Sequence, residues 1–584
     1  MLDRRVIASL ENARLVVGIP RKDANNPLLI PDQPWENATN NYYPNVAWDP
    51  VSRVWNLWYK DVLADPEALA KMDVPSTVHG VGWYLLHATS RDGALWTRPE
   101  LGLHAYDHNA KNNIVARDCP NAGVFLDEQE TDSARRYKMM YDVGLGNPRV
   151  RFSPDGVHWG EAVEPKGFRA QQGDTHNNGF RDPWTGKFLW FTKLYLGERL
   201  VSRLESDDFL NWRSSGVVLR SGINEGKETQ TYALTAFPYA NGYLGYLMLY
   251  HVKAGRTVDC ELAWSADSVH WERVAPGSPL LPNGPAGSYD SGCIYAQAGA
   301  PVSKDGRVQI YYGGSSTPHL GWKRSGSLCL ATLPEDGFAG FSPVDPARKG
   351  TVLTVPLRPQ GGAIEVRSEG AVEVKREELS EGLFQLRIVL GAGAKVYSIV
   401  GATLADASPR PPVEGAPARE SVKREPIRVD FKAGTAGWKA LDSFTHIPEQ
   451  ECVRVRRGKG LRPFAFGEPL PGNWPEQFGG AALQISVRLR TPEVGGVARV
   501  EIFAKDIAPW YFEWKETLSA EWQTFQTTIQ YGSSDAEAKA AGWTRSEQGF
   551  SWRETLEHAG RVVVMPSGGS AETFDLGHVL FEPK

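Results

Sequence analysis

The sequence predicts an all-β protein: a five-bladed β-propeller, followed by a small β module and a C-terminal jelly-roll β-sandwich. Three observations predict this fold. A box of seven residues recurs four times, a strongly aromatic strand precedes each copy, and long helical patterns are scarce. Glycine (59 residues) and proline (40 residues) are plentiful, which is typical of many short strands joined by turns.

The repeated box has the pattern Ser-x-Asp-Gly-x-x-Trp and predicts a tight turn after a strand. Its copies are SRDGALW (90–96), SPDGVHW (153–159), SDDFLNW (206–212) and SADSVHW (265–271). Ser and Asp oxygens bind amides of the turn, glycine allows a positive φ, and tryptophan packs between neighbouring sheets. We therefore assign a turn role, and not a catalytic one, to Asp92, Asp155, Asp207 and Asp267.

Each box ends a unit that predicts one four-stranded sheet. The aromatic strands ahead of the boxes are VWNLWY (54–59), YKMMY (137–141), FLWFT (188–192) and YLGYLMLY (243–250). A fifth unit follows with GCIYA (292–296), VQIYYGG (308–314), SLCLATL (327–333) and the degenerate box EDGFAGF (335–341). Five such units closed into a ring would make residues 1–350 a propeller whose first strands converge on a central channel.

The remaining sequence predicts three further segments. Residues 351–405 alternate as strands and are expected to form a small β module packed on the propeller. Residues 406–426 are rich in proline and charge and predict a linker. Residues 427–584 predict the sandwich, which could bind carbohydrate through WYFEW (510–514) or use these aromatic residues in its core. A role as a spacer or oligomer contact is a further alternative.

Charge and the N-terminal sequence limit the partners. The chain has 64 Lys and Arg against 69 Asp and Glu, a net charge of −5, so it offers no broad basic surface for nucleic acid or a membrane. Charges in the first 22 residues argue against a signal peptide and predict a cytoplasmic protein, or a secreted one if a leader has been trimmed. The sequence leaves the oligomeric state open.

Carboxylates near the predicted channel are the candidate catalytic residues. Cleavage of a glycosidic bond needs a carboxylic acid for the leaving oxygen and a second carboxylate as nucleophile or base. The first strands of units three, four and five begin beside Asp174, Glu228 and Asp290. Three acids around one channel would repel one another, which raises one pKa and leaves another group ionised. Alternatively, these acids cap turns or hold a cation.

Aromatic and amide side chains near the same strand starts are candidates for sugar recognition, because sugar rings stack on flat side chains and Asn both donates and accepts hydrogen bonds. His176 could bind sugar, bind a cation through water, or be a hydrogen-bonded rim residue. The other candidate substrate-binding residues are Trp35, Asn41, Tyr42, Asn121, Asn177, Tyr232, Tyr289 and His319. The sequence contains no calcium loop and no His/Cys cluster, so we expect no required cofactor, and a structural cation in the channel stays open.

Three long segments resemble bacterial proteins related to glycoside hydrolase families 32, 43 and 68, the arabinanase, levansucrase and invertase superfamily. They are residues 84–115, GDTHNNGFRDPWTGKF (173–188) and GSYDSGCIY (287–295), and the resemblance spans roughly residues 25–360. It implies a five-bladed propeller with three channel acids. By this resemblance Glu228 is the general acid, while Asp174 and Asp290 are, in either order, the stabiliser and the nucleophile or base. The invertase pattern N-D-P-N-G is replaced by NNYYPN (40–45) in the first unit.

These patterns favour a glycoside hydrolase that cleaves a furanoside, a fructoside or a related glycan. The alternative from another class is a propeller that binds oligosaccharide or glycoside without catalysis. A sialidase is a third reading, since its box S-x-D-x-G-x-T-W is similar. Here, however, the glycine directly follows the aspartate, and no first strand begins with the clustered arginines that a substrate carboxylate needs.

Overall fold

The structure is a computed structural model that describes residues 4–76, 78, 80–169, 171–195, 199–220, 228–321, 324, 326–405, 426–440, 443–456, 464–467, 474, 482–492, 495–504, 509–531, 533–546, 551–557, 559–568 and 572–584. It divides into two compact units, Met1–Val413 and Glu414–Lys584. Strands dominate both units, so the prediction of an all-β protein is confirmed. Of the predicted linker (406–426), residues 406–425 lie outside the described residues.

Three short strands precede the first repeat sheet. They are β1 (Ile7–Glu11), β2 (Ala13–Val17) and β3 (Arg21–Lys22). The first repeat sheet follows with β4 (Asn45–Asp49), β5 (Val54–Leu63), helix α1 (Pro66–Ala70), β6 (Gly82–Ser90) and β7 (Trp96–Thr97). Strand β8 (Ile114–Arg117) also pairs with β6. Asp65 caps α1 by accepting a hydrogen bond from the amide of Glu67.

The second and third repeat sheets are antiparallel and keep the chain order of their strands. The second contains β9 (Gly123–Leu126), β10 (Tyr137–Asp142) and β11 (Pro148–Ser153). The third contains β12 (Asn178–Arg181), β13 (Phe188–Tyr195), β14 (Arg199–Ser206) and β15 (Trp212–Leu219). The middle strands are almost wholly buried, because aromatic and aliphatic side chains cover both of their faces.

The fourth and fifth repeat sheets complete the series. The fourth contains β16 (Thr229–Tyr239), β17 (Gly242–His251), β18 (Thr257–Ser265) and β19 (Trp271–Arg273). The fifth contains β20 (Cys293–Ala296), β21 (Val302–Lys304), β22 (Arg307–Ser315) and β23 (Ser327–Pro334). The N-terminal strand β3 pairs with β23, so a distant segment of the chain supplies the outer edge of the fifth sheet.

Hydrogen bonds connect each repeat sheet to the next and the fifth sheet back to the first. In order, the bonded pairs are Asn45 with Ala122, Asn121 with Asn177, Asn178 with Leu234, Val258 with Gly292, and Ala298 with Pro44. Asn45 and Asn178 each begin a first strand and use their side-chain amides for this link. The five sheets therefore form a closed circuit. Four of these links lie at the starts of first strands, whereas the link from the fourth sheet to the fifth runs from the third strand β18 to β20 and joins the two into one nine-stranded sheet.

The repeated boxes form the turns that the sequence predicts. Oδ1 of Asp155 accepts hydrogen bonds from the amides of Val157 and His158 at 2.9 and 2.8 Å, and Ser153 accepts one from Gly156. In the third box the assignment of Asp207 was wrong. The neighbouring Asp208 makes the turn hydrogen bonds, because it lies two residues after Ser206 as in the other copies, while Asp207 forms an ion pair with Arg213.

Two sheets after the repeats share a second buried core around Val352, Ile388 and Val396. Their strands are β24 (Ala339–Pro343), β25 (Gly350–Thr354), β26 (Leu357–Pro359), β27 (Glu365–Glu369), β28 (Val372–Glu378), β29 (Phe384–Leu390), β30 (Lys395–Val400) and β31 (Ala402–Leu404). Strand β1 pairs with β25, and β2 pairs with β24. The module predicted for residues 351–405 therefore also contains residues 7–17 and 339–350, which the sequence had assigned to the propeller.

The unit Glu414–Lys584 contains two antiparallel sheets around one core. The first has β32 (Ile427–Asp430), β33 (Ser443–Ile447), β34 (Cys452–Arg456), β36 (Ala482–Arg490), β39 (Gln523–Gln530) and β42 (Thr573–Pro583). The second has β35 (Ala465–Gly467), β37 (Val497–Ala504), β38 (Trp510–Thr517), β40 (Trp543–Arg545) and β41 (Ala559–Ser567), and the helices are α2 (Asp535–Ala540) and α3 (Trp552–Glu557). Trp510 and Trp514 belong to this core, as expected for the alternative of core packing.

Short 3-10 helices occupy residues 4–6, 133–135, 380–382 and 448–450. None of the helices in the described ranges is long and apolar enough to span a membrane.

Candidate functional site

A cavity of about 470 Å³ lies where the starts of the first strands meet, and all five repeat sheets contribute to its wall. Polar side chains predominate among the residues that line it. They are Asn40, Asn41, Lys60, Trp83, Pro120, Asn121, Asp142, Gly144, Leu145, Asp174, Thr175, Lys193, Arg199, Tyr232, His319, Gly321 and Arg324. A cavity of this size, with polar groups that converge from several strands, is a candidate ligand site.

Five residues predicted from the sequence line this cavity: Asn41, Asn121, Asp174, Tyr232 and His319. The first three precede β4, β9 and β12, so the expectation that the starts of first strands would meet holds for them. The side chain of Asp174 is 59% exposed and forms an ion pair with Lys193. Asp174 also has a positive φ of 75°, a conformation that Asp tolerates better than most residues.

Glu228 and Asp290, the other two predicted catalytic carboxylates, are not among the residues that line the cavity. Glu228 is 57% exposed and forms an ion pair with Lys253, which is itself 74% exposed. Asp290 is 1% exposed and forms an ion pair of 2.6 Å with Lys22 of β3. The structure therefore does not bring the three predicted acids together at this cavity.

Three predicted aromatic residues also lie outside the cavity wall. Trp35 is half-buried and donates a hydrogen bond from its indole nitrogen to Asn113 at 2.8 Å. Tyr42 is buried and stacks on Tyr59 with ring centroids 5.2 Å apart. Tyr289 is half-buried and accepts a hydrogen bond from Asn26 at 3.2 Å. These contacts hold the segments that precede β4 and β20 in place.

His176 and Asn177 are buried and support the cavity without lining it. The His176 ring stacks on Tyr43 at 4.6 Å, and burial lowers the pKa of this imidazole to about 3, so it is neutral near pH 7. The Asn177 amide donates to Oδ2 of Asp142 at 3.0 Å and accepts a hydrogen bond from Trp190. Asn177 is thus a positioning residue for Asp142.

The second strands of the first three sheets supply cavity residues that sequence reasoning missed. Asn45, Gly123 and Asn178 begin the first strands and pair with Trp58, Met140 and Phe191. Two residues beyond these partners, on the same face of each second strand, lie Lys60, Asp142 and Lys193. A signal was present in the sequence, because each is a charged residue that ends an aromatic or apolar run.

The carboxyl groups of Asp142 and Asp174 have different environments on one wall. The amide of Asp174 donates to Oδ2 of Asp142 at 2.8 Å. Burial raises the pKa of Asp142 to about 6, and the nearby charge of Asp174 also raises it, against the hydrogen bonds from Asp174 and Asn177 and the charge of Lys193. Both hydrogen bonds reach Oδ2, so Oδ1 is the oxygen left to carry a proton.

Basic groups line the cavity beside this carboxyl pair. Lys60 is buried and donates to the side-chain oxygen of Asn121 at 2.7 Å. Burial lowers the pKa of Lys60 to about 7, and the charge of Arg324 lowers it further. Arg324 donates to Nδ1 of His319 at 3.0 Å, and burial together with Arg324 lowers the pKa of His319 to about 3. Arginines therefore do reach the cavity, although they come from outside the first strands.

Neutral polar atoms and aromatic rings complete the wall. Oδ1 of Asn41 and Oγ1 of Thr175 are buried and have no hydrogen-bond partner among the described residues. Each of these two oxygens is therefore an unused acceptor on a residue of the cavity wall. Trp83 and Tyr232 contribute aromatic surface, and the Lys60 ammonium lies 5.2 Å from the Trp83 ring centroid.

Groups of three or more His, Cys, Asp or Glu side chains suited to a metal ion do not occur in the described part of the chain. The structural cation considered from the sequence therefore stays a prediction. The five cysteines are all buried and free.

No protein-family model matches the chain, and a comparison with curated proteins also gave no match. Among solved structures, a glycoside hydrolase is similar at 14% identity and a TM-score of 0.38, over 54% of this chain and 92% of that one. A fructofuranosidase from Schwanniomyces occidentalis complexed with fructose is similar at 10% identity and a TM-score of 0.34, over 95% of this chain and 97% of its own.

The catalytic domain of a GH62 α-L-arabinofuranosidase from Coprinopsis cinerea is similar at 12% identity and a TM-score of 0.36, over 54% of this chain and 97% of that one.

Proposed function

We propose that the five repeat sheets are the blades of a five-bladed propeller and that the cavity binds a glycan and cleaves a glycosidic bond. The closed circuit of hydrogen bonds between successive sheets supports the propeller. The observation that carries the function is the pair of Asp142 and Asp174 on one cavity wall, one carboxyl buried and the other exposed. Two carboxyl groups in unlike environments are what acid and base steps of glycoside hydrolysis require.

Asp142 is the general acid in this proposal. Its pKa of about 6 keeps it partly protonated in mildly acidic solution, and Oδ1 is free to hold the proton. During cleavage this proton moves to the leaving glycosidic oxygen as the bond between that oxygen and the anomeric carbon breaks. Asn177 and the Asp174 amide hold Oδ2 and so fix the direction of the carboxyl group.

Asp174 is the second carboxylate, which acts as a nucleophile or as the base for water. Its exposure lets it approach an anomeric carbon or a water molecule, and the Lys193 ammonium forms an ion pair with it. As a nucleophile it bonds to the anomeric carbon, and water deprotonated by Asp142 then breaks that bond. As a base it takes a proton from the water molecule that attacks this carbon.

Sugar recognition would use the neutral part of the wall. Trp83 and Tyr232 are the aromatic residues of the wall that would contact the apolar side of a sugar ring. The unpartnered oxygens of Asn41 and Thr175 can each accept a hydrogen bond from a sugar hydroxyl. The substrate class in this proposal is a furanoside, a fructoside or a related glycan.

The two sheets around one core in the unit Glu414–Lys584 support the assignment of this unit as a jelly-roll sandwich. We propose a supporting role for it, since the aromatic residues Trp510 and Trp514 that could have stacked on a glycan are in its core.

One observation favours the alternative of binding without cleavage. The ion pair with Lys193 engages the same carboxylate that would have to attack or activate water. A bound glycan would then be held by Asp174 and Lys193 together, and Asp142 would only orient Asp174.

The deciding experiment is a screen of oligosaccharides and aryl furanosides, read by release of reducing sugar and of the aryl group. The enzyme is supported if the full chain hydrolyses a glycan and if both Asp142→Asn and Asp174→Asn lose hydrolysis but still bind the glycan. Binding of a glycan with no release by the unmodified chain contradicts it and supports the binding protein.

A further inference from the structure

Basic side chains outnumber acidic ones at the cavity wall, although the chain as a whole carries a net charge of −5. Four basic residues line the cavity, Lys60, Lys193, Arg199 and Arg324, against the two acids Asp142 and Asp174. Lys193 is paired with Asp174. The local field at the cavity is therefore positive, opposite in sign to the field that the composition predicts.

The other three basic side chains have neutral partners. Lys60 donates to the Asn121 side chain, and Arg199 donates to the Gln230 side chain at 3.0 Å. Arg324 donates to the Tyr295 hydroxyl at 3.2 Å, to His319 and to a backbone carbonyl. Within the described ranges, no carboxylate lies within ion-pair distance of these three residues. None of the three therefore has a direct ion-pair partner there, although the charges of Asp174, Asp142 and Asp61 act on Lys60 from a greater distance.

These charges lie close together. The charges of Arg324, Arg199, Lys60 and Lys193 all lower the pKa of His319, after burial. The charge of Arg324 likewise lowers the pKa of Lys60. Lys60 and Arg324 are 3% and 6% exposed, so water does little to offset their repulsion. Buried like charges are costly unless a counter-charge binds between them.

We propose that the sugar bound in this cavity carries an oxyanion, such as a ring carboxylate or a phosphate ester, and that Lys60, Arg199 and Arg324 bind it. The inference rests on the proposed function for the presence of a sugar. Arginine guanidinium groups suit carboxylate and phosphate because they offer paired N–H donors in a plane. The ligand's negative charge replaces the missing acidic partner of these three residues.

The test compares sugars that differ only at one carbon. Glucuronate, glucose, galacturonate and galactose are each titrated into the full chain by calorimetry at low and high salt, and inorganic phosphate is a further probe. The affinity of each uronate is compared with that of its neutral counterpart. We expect each uronate to bind at least about tenfold more tightly than its neutral counterpart, and this preference to shrink as salt rises.

Arg199→Gln and Arg324→Gln are each expected to remove the preference. Lys60→Met serves as a third variant. If one substitution at a buried position prevents folding, the remaining variants still test the inference. The matched control is Arg213→Gln, which changes an arginine of the third sheet that is 63% exposed and outside the cavity wall. The control should keep the full preference.

Equal affinity for the charged and neutral sugars, together with no binding of phosphate, would overturn the inference. Phosphate binding without any binding of a uronate would support the oxyanion site and identify the oxyanion as a phosphate ester. The proposed function is tested separately. Uronate preference without hydrolysis of any glycoside supports the oxyanion site and contradicts the enzyme. Hydrolysis of neutral glycosides with no preference for uronates contradicts the oxyanion site and supports the enzyme.

Discussion

The backbone amide of Asp174 donates a hydrogen bond to Oδ2 of Asp142 over 2.8 Å. This bond connects the end of the second strand in one repeat sheet to the start of the first strand in the next. It places a buried carboxyl group, whose pKa burial raises to about 6, beside an exposed one. The proposed chemistry and the first three predictions follow from this pair.

The first prediction concerns the pH dependence of cleavage. Because Asp142 donates a proton and its pKa is raised to about 6, kcat/KM should be highest below pH 6 and fall as the pH rises through this value. The measurement is a pH profile with a glycoside whose leaving group needs protonation.

Asp142→Asn removes the proton donor, so its effect should depend on the leaving group. Hydrolysis of an alkyl glycoside should fall by at least about 100-fold, whereas a dinitrophenyl glycoside, whose leaving group departs without a proton, should be affected far less. Equal losses on both substrates would argue against Asp142 as the acid.

The second prediction separates the two exposed, ion-paired carboxylates. Asp174→Asn should lower kcat by at least about 100-fold, since Asp174 lines the cavity as the second carboxylate. Glu228→Gln is the matched control, because Glu228 is similarly exposed and paired with a lysine but lies outside the cavity wall. It should leave kcat within about twofold of the unmodified chain. The reverse pattern would restore Glu228 as the general acid that the resemblance implied.

The third prediction concerns stability between pH 4 and 6. A free Asp has a pKa of roughly 3.9, and that of Asp142 in the folded chain is about 6. In this interval the folded protein retains a proton that the unfolded chain has lost, so the free energy of unfolding should fall as the pH rises. Urea unfolding at several pH values should show a smaller fall for Asp142→Asn.

Asp155→Asn provides the control with the opposite sign. Hydrogen bonds in its turn lower the pKa of Asp155 to about 2, against the effect of burial, so its contribution to stability is lost only as the pH falls from about 4 to about 2. The slope between pH 4 and 6 should be unchanged in this variant. An unchanged slope in Asp142→Asn as well would show that Asp142 does not titrate in this range.

The fourth prediction assigns Asp290 to stability. Asp290 accepts hydrogen bonds from Lys22 at 2.6 Å and from the Tyr312 hydroxyl at 3.0 Å, and it joins β3 to the fifth sheet. Asp290→Asn should lower the free energy of unfolding of the first unit by about 1–3 kcal/mol, because a charge-assisted bond is lost and Lys22 is left unpaired. Denaturant unfolding measures this change, and kcat of the folded variant should stay near that of the unmodified chain. Loss of hydrolysis at unchanged stability would return Asp290 to the catalytic residues.

The repeated boxes and aromatic strands were sufficient to predict the local structure. A Ser and an Asp two residues apart satisfy the amides of the same turn wherever they occur, so these turns do not depend on the rest of the chain. The error at Asp207 was one of alignment, since two aspartates are adjacent there and only Asp208 has the required distance from Ser206.

The sequence by itself determined the strands, the turns and those cavity residues that directly precede first strands, such as Asn41, Asn121 and Asp174. Only the tertiary structure decided which carboxylates share a cavity. Asp142 and Lys60 each come after an apolar run, and in the sequence this pattern is the same as that of a residue in a surface turn. Their position at the cavity depends on the pairing register and on contacts between sheets that are far apart in the chain. Glu228 and Asp290 had the right local pattern but lie outside the cavity wall. Glu228 forms an ion pair with Lys253, between β17 and β18, and Asp290 forms one with Lys22 of β3.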